Sequence, residues 1–293
     1  MKTAYLDAFS GLSGDMMVGA LLDAGADAAA LDHAMAGLGL HGYRISTRRK
    51  DVSGIAATKF DVEVLEAQPE RHLGEILAII NRAALPSRAT RNGIAIFEAL
   101  ADAEAKVHRT TRDHVHFHEV GSVDSIIDIV GTAWALDQLD IVTLLVSVLP
   151  MGAGFARSRH GIIPVPAPAT AELLAGFPLR LGDGPSEMVT PTGAAILKAL
   201  ARPAASIANF EIERIGYGAG TKDFADRPNL LRLMIGRERA NFASDDLVEI
   251  SANIDDLNPQ IYGHLSDRLF AAGARDVTLT PTIMKKGRPA VTL

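Results

Sequence analysis

Cysteine is absent from the 293-residue chain. That one absence removes disulfides, cysteine-zinc sites and thiol nucleophiles, and it fits a cytoplasmic setting. Long apolar runs are also missing. The run over residues 141–149 is broken by Thr143 and Ser147 and is too short to span a bilayer. No charged segment followed by an apolar run and a cleavage site opens the chain, which enters directly on the strand-like Thr3-Ala4-Tyr5-Leu6. No Gly-Lys-Ser/Thr follows its small-residue loops, so a Walker phosphate site is excluded. A Ser-His-Asp hydrolase lacks its nucleophile elbow. Positive charge is in deficit: Lys and Arg number 29 against 35 Asp and Glu, a net charge of −6. This argues against a nucleic-acid binder and leaves room only for a local basic pocket for a small anion.

What is present is an ample core and a concentration of imidazole. Hydrophobic residues make up 48% of a chain long enough for two domains. Four of the nine histidines, His108, His114, His116 and His118, fall close together around Asp113-His114-Val115-His116-Phe117-His118-Glu119. In an extended conformation His114, His116 and His118 share one face, and Val115 and Phe117 anchor the other. Ser122 then reads as a helix N-cap, with Asp124 and Asp128 four apart on one helix face. Imidazole with carboxylate suits zinc, nickel, iron or manganese better than magnesium or calcium. The competing reading is surface histidines, or core histidines satisfied by hydrogen bonds. Three at alternate positions favour a metal or catalytic role.

Taken in order, residues 3–9 read as a buried strand ending at Asp7. A Gly/Ser loop, Phe9-Ser10-Gly11-Leu12-Ser13-Gly14-Asp15, opens a helix over 16–22. Strand, small-residue loop and helix can cradle an anion on backbone N–H groups through Ser10, Gly11, Ser13 and Gly14. Alternatively, Asp7 and Asp15 hold a cation, or the loop is a tight turn with an acid favoured by the helix dipole. A helix over 28–38, alternating strands over 43–50 and 58–65, and helices over 72–82 and 87–108 follow. Next come a helix over 122–139 and a strand over 141–149.

The Pro/Gly-rich middle, 150–193, reads as an ordered arm, with Arg157, Arg159 and His160 as an anion clamp or a solvated turn. Thr190 caps a helix with Pro191 at its first position. Thr192 and Gly193 there form a second candidate phosphate site or simply a well-capped helix. Residues 216–223 form a glycine run between strands, without the helix a dinucleotide fold needs. A polar boundary at 237–245 precedes a strand (247–254), a helix (259–272), a strand (277–280) and the start of another. That pattern is too small for a comfortable domain and reads as the first half of a larger one. The expected class is α+β: a mixed-sheet N-terminal domain with long helices over 1–240, and half of a second domain over 245–293.

Several stretches together resemble the nickel insertion proteins of nickel-pincer nucleotide cofactor biosynthesis, the LarC family. They are Tyr5-Leu6-Asp7-Ala8-Phe9-Ser10-Gly11-Leu12-Ser13-Gly14-Asp15-Met16, His116-Phe117-His118-Glu119-Val120-Gly121-Ser122-Val123-Asp124, Pro164-Val165-Pro166-Ala167-Pro168, Thr190-Pro191-Thr192-Gly193, Ile215-Gly216-Tyr217-Gly218-Ala219-Gly220, Asn253-Ile254-Asp255-Asp256 and Met284-Lys285-Lys286-Gly287-Arg288-Pro289. They run in order along nearly the whole chain.

The resemblance implies CTP-dependent insertion of nickel into pyridinium-3,5-bisthiocarboxylic acid mononucleotide, with manganese or magnesium accompanying the nucleotide. It implies a lyase-class nickel chelatase whose product serves lactate racemase and related enzymes. It also implies a ferredoxin-like C-terminal domain, here truncated, and a homo-oligomer. On this reading nickel meets His114, His116 and His118. Asp7, Asp15, Asp124 and Asp255 complete the metal-binding candidates, and His118 or Glu119 takes the ring proton. The nucleotides fall to Ser10, Gly11, Ser13, Gly14, Thr190, Thr192 and Gly193, and to Lys285, Lys286 and Arg288. A non-catalytic nickel carrier and a metal-dependent phosphohydrolase are the alternatives.

Overall fold

The computed structural model describes residues 2–117, 121–158, 161–238 and 247–293. It divides into two compact units, Met1–Ala240 and Asn241–Leu293. The first unit begins with β1 (Lys2–Asp7), α1 (Gly14–Asp23), α2 (Ala28–Ala36), β2 (Tyr43–Val52) and β3 (Ile55–Val64). It continues with β4 (Arg71–His72), α3 (Leu73–Arg82), α4 (Ser87–His108), β5 (His116–Phe117), α5 (Val123–Gln138), β6 (Ile141–Val146) and β7 (Leu149–Met151). Then follow β8 (Phe155–Ser158), β9 (Gly161–Pro164), α6 (Pro168–Leu173), β10 (Leu179–Leu181), α7 (Pro191–Leu200), β11 (Ala201–Pro203), β12 (Phe210–Ala219) and β13 (Leu230–Glu238).

Among the described residues a seven-stranded mixed sheet runs β11-β6-β1-β13-β12-β3-β2. β1 is parallel to β6 and antiparallel to β13, and β2 and β3 pair antiparallel along their whole length. Helices pack on this sheet because their apolar positions demand it. α1 buries Met16, Met17, Val18, Ala20 and Leu21, and α5 buries Ile126, Ile127, Ile129 and Val130. α4 is amphipathic and turns Ile96, Phe97 and Leu100 inward. The α+β reading holds. No described helix is long and apolar enough to cross a membrane.

The glycine run is not a loop up to Gly220, because β12 continues through Ala219. A Cβ on Gly218 would lie 1.8 Å from the Met16 carbonyl oxygen, and one on Gly216 would lie 2.2 Å from that of Ala20. The glycines let α1 sit directly on the strand. Residues 141–149 form two strands, since the Ser147 hydroxyl turns aside to accept the Ala8 N–H at 3.0 Å. The Pro/Gly-rich arm contains the antiparallel pair β8–β9.

The second unit holds β14 (Asn253–Ile254), α8 (Tyr262–Ala271), β15 (Thr280–Met284) and β16 (Arg288–Thr292), in the order β14-β16-β15. Both neighbours of β16 are antiparallel to it. This is a split β-α-β arrangement of the kind found in ferredoxin-like folds. The expected strand over 247–254 shrinks to Asn253–Ile254, and the strand expected at 277–280 lies later, at Thr280–Met284. The reason is the Lys285–Gly287 turn, with Lys286 and Gly287 at φ 63° and 71°, which closes a tight β15–β16 hairpin and fixes its register.

Candidate functional site

Three helix N-termini, those of α1, α5 and α7, meet around one cleft of about 320 Å³. Two loops that the sequence presented separately are joined to make it. The Leu12 N–H donates to the Met188 carbonyl (3.0 Å), and the Thr190 N–H donates to the Leu12 carbonyl (3.1 Å). α1 and α5 then open side by side with the same local chemistry. Ser13 bonds the Asp15 carboxylate and Ser122 bonds the Asp124 carboxylate, each two residues on. Ser122 occupies the N-cap position, yet its hydroxyl makes no cap hydrogen bond and is spent on Asp124. Gly14 leaves the space that Asp128, one turn into α5, fills: a Cβ there would lie 2.6 Å from Asp128 Oδ2. Asp124 and Asp128 do share a helix face, and both line the cleft.

Beneath the carboxylates lies Lys59 of β3, 1% exposed. Its ammonium pairs with Asp15, with Asp61 at 3.0 Å, and with the Phe60 carbonyl at 2.9 Å. Burial raises the Asp61 carboxyl, but the hydrogen bonds and charges of Lys59 and Arg48 outweigh it and hold Asp61 below the usual carboxylate range. Asp128 moves the other way. Enclosure by protein, reinforced by the charges of Asp15 and Asp124, pushes it well above the usual range. Lys59 and a hydrogen bond from the Asp15 N–H offset only part of this. Asp128 Oδ1 is closed off and has no hydrogen-bond partner. The cleft thus combines helix N-termini that favour anions with carboxylates that favour cations, a combination suited to a ligand carrying both signs.

The sequence-based candidates divide. Ser13, Gly14, Asp15, Asp124, Thr190 and Thr192 line the cleft. Ser10 and Gly11 do not. The Ser10 hydroxyl donates to the Pro228 carbonyl at 2.7 Å, and Gly11 (φ 93°) sits where a Cβ would meet the Met188 carbonyl oxygen. Gly193 gives its N–H to the Thr190 hydroxyl (3.2 Å) and packs against Leu12, so it builds the α7 cap instead of receiving an anion. Asp7 is held by Arg232, whose guanidinium also stacks over Phe9 at 5.9 Å, and it lies outside the cleft lining.

His114 departs most from expectation. The alternating strand over 114–118 does not include it: Arg112–His114 form a 3₁₀ turn, and strand begins at His116. His114 is exposed, with Nδ1 2.7 Å from the Thr111 hydroxyl. The apolar anchors behave as expected, with Val115 and Phe117 buried. His116 pairs through its backbone with His72. His118 and Glu119, and Arg159 and His160 of the clamp, lie outside the described residues. Among the described residues no three His, Asp or Glu side chains already stand grouped to hold a metal ion. In the second unit Lys285, Lys286 and Arg288 are exposed, and Arg288 Nη1 lies 3.6 Å from Asp255 Oδ2.

Sequence reasoning missed Lys59 and Thr221, and left Asp128 off the list of site residues. The available signal was a lysine one residue before Phe60 and two before Asp61, inside a strand otherwise rich in Ala, Val and Phe.

The family model described as "Nickel insertion protein" matches residues 4–293. A "Putative nickel insertion protein" of Geotalea daltonii is 48% identical over 291 residues, covering 99% of this chain and 75% of that one. One of the same name from Geobacter sulfurreducens is 49% identical over 295 residues, covering 100% and 76%. A Desulfitobacterium hafniense protein named "Pyridinium-3,5-bisthiocarboxylic acid mononucleotide nickel insertion protein" is 45% identical over 299 residues, covering 100% and 74%. No solved structure matches the chain. With likeness of this depth over its whole length, the chain belongs to the nickel insertion protein family.

Proposed function

We propose that the protein inserts nickel, as a substrate, into pyridinium-3,5-bisthiocarboxylic acid mononucleotide, in a reaction dependent on CTP with manganese or magnesium. The single observation that carries this reading is the cleft. Its helix N-termini suit a phosphate, and its carboxylates suit a cationic ring and an arriving metal ion. The substrate's own sulfurs would be the soft ligands that a cysteine-free protein lacks. Replacing the ring C–H with a nickel–carbon bond releases a proton, and His118 or Glu119 is the proposed acceptor. In the sequence both stand just before Ser122 and Asp124, and Asp124 lines the cleft. His116, His118 and Asp124 are the proposed nickel ligands.

A metal–triphosphate needs hard oxygen donors beside cations. Asp255 and Asp256, with Lys285, Lys286 and Arg288, fit that chemistry within the second unit. When bound, the triphosphate supplies the free energy of its anhydride bond. The reaction is assigned to the lyase class, in the cytoplasm, in a homo-oligomer, with the product passing to lactate racemase-type enzymes. The test is reconstitution: the protein, nickel, CTP, magnesium and the mononucleotide are mixed, and the nickel adduct is sought by mass spectrometry. Product that needs all components supports the reading. Phosphate-ester hydrolysis without the mononucleotide contradicts it.

A further inference from the structure

The cleft adjoins a second chamber of about 150 Å³ with a different character. The two share Ser13, Asp15, Thr190 and Thr221. The second adds Met16, Met188 and Phe224 as apolar wall, and Lys222 and Glu187 as charged groups. The distribution of charge between them is uneven. Lys59, the ammonium of the first chamber, is neutralised between Asp15 and Asp61. Glu187 is already partnered. Among the described residues no hydrogen bond or ion pair engages the Lys222 ammonium.

The loop that carries Lys222 is fixed from several sides. Asn229 Nδ2 donates to the Lys222 carbonyl at 2.8 Å, and the Gly220 N–H donates to the Asn229 carbonyl at 3.0 Å. Lys50 reaches the Gly220 carbonyl at 3.2 Å and Asp223 at 3.1 Å. Ser10 holds Pro228, and Arg227 pairs with Asp183 at 2.7 Å. A charge on a loop held this firmly loses little backbone entropy when it meets an anion.

We propose that Lys222 recognises the phosphate of the mononucleotide and so sets its direction. The phosphate lies in the Lys222 chamber, and the cationic ring lies towards Asp124 and Asp128. This role for Lys222 rests on the proposed nucleotide substrate and adds its orientation. At the far end, the Asp124 carboxylate repels a phosphate and attracts a pyridinium. Between the ends, the Ser13, Thr190 and Thr221 hydroxyls offer partners for ribose.

The test is calorimetric titration of the whole chain with nicotinic acid mononucleotide, a pyridinium nucleotide, and with its dephosphorylated riboside. Lys222→Ala is expected to weaken the mononucleotide roughly ten- to hundredfold and leave the riboside unchanged, as loss of one charge-assisted contact requires. Lys222→Arg should restore most of the binding. Equal weakening of both ligands, or of neither, overturns the proposal, as does a wild-type protein that binds both equally. Failure of the wild-type protein to bind either ligand overturns the nucleotide-substrate reading along with it.

Discussion

Lys59 and Asp15 form an ion pair at the floor of the cleft, with the lysine side chain 2% exposed and the aspartate 22%. A buried ammonium survives only because Asp15, Asp61 and the Phe60 carbonyl together replace its water.

Lys59→Met removes that charge and leaves two carboxylates facing each other without it. The expected loss is about 3–5 kcal/mol of folding stability, read from urea denaturation. Combining it with Asp15→Asn should cost less than the sum of the single losses, because the two residues share one interaction.

Asp128 imposes a pH dependence. Its carboxyl is raised in the folded state, so the folded protein holds a proton that the unfolded chain releases near pH 4. Stability contributed by the protonated form is full below the unfolded value and is lost as pH rises towards and through the raised folded value. Asp128→Asn removes this term. Its stability advantage over the wild type should therefore grow from about pH 4 upward, measured by denaturation across pH. A difference that is flat with pH contradicts the assignment.

Gly218→Ala sets a methyl against the Met16 carbonyl at 1.8 Å, where the contact is backbone and not a movable side-chain end. It should cost at least about 1–3 kcal/mol and shift α1 off β12, visible as a lowered melting temperature. Gly263→Ala, with nothing within 4 Å of the new atom, is the control and should not lower it.

Much of this architecture is legible locally. Thr190-Pro191 does cap α7, Pro86 does precede α4, and the alternation of β2 and β3 does mark a pair. The failures are long-range. Glycines 216 and 218 read as a loop because nothing nearby in sequence shows that α1 will lie on them. Ser10, Gly11 and Gly193 read as anion donors because their real partners, Pro228, Met188 and Leu12, are distant in the chain. Lys59 was invisible for the same reason: its partner Asp15 is 44 residues away. His114 was misplaced because alternation presumes a strand, and the residues before Val115 form a 3₁₀ turn instead.

His114→Ala should therefore leave nickel insertion intact and change stability by no more than about 0.5 kcal/mol, since the ring is exposed and held only by Thr111. A collapse of activity in this variant would return His114 to the nickel path.

On the proposed function, the cleft between α1, α5 and α7 is where the mononucleotide acquires nickel. The most direct measurement is the single-turnover rate of nickel-adduct formation in Asp124→Asn, a change of one atom type on the cleft wall. The expected result is a folded protein that forms the adduct about a hundredfold more slowly than the wild type. Adduct formation at the wild-type rate in this variant would place the chemistry elsewhere.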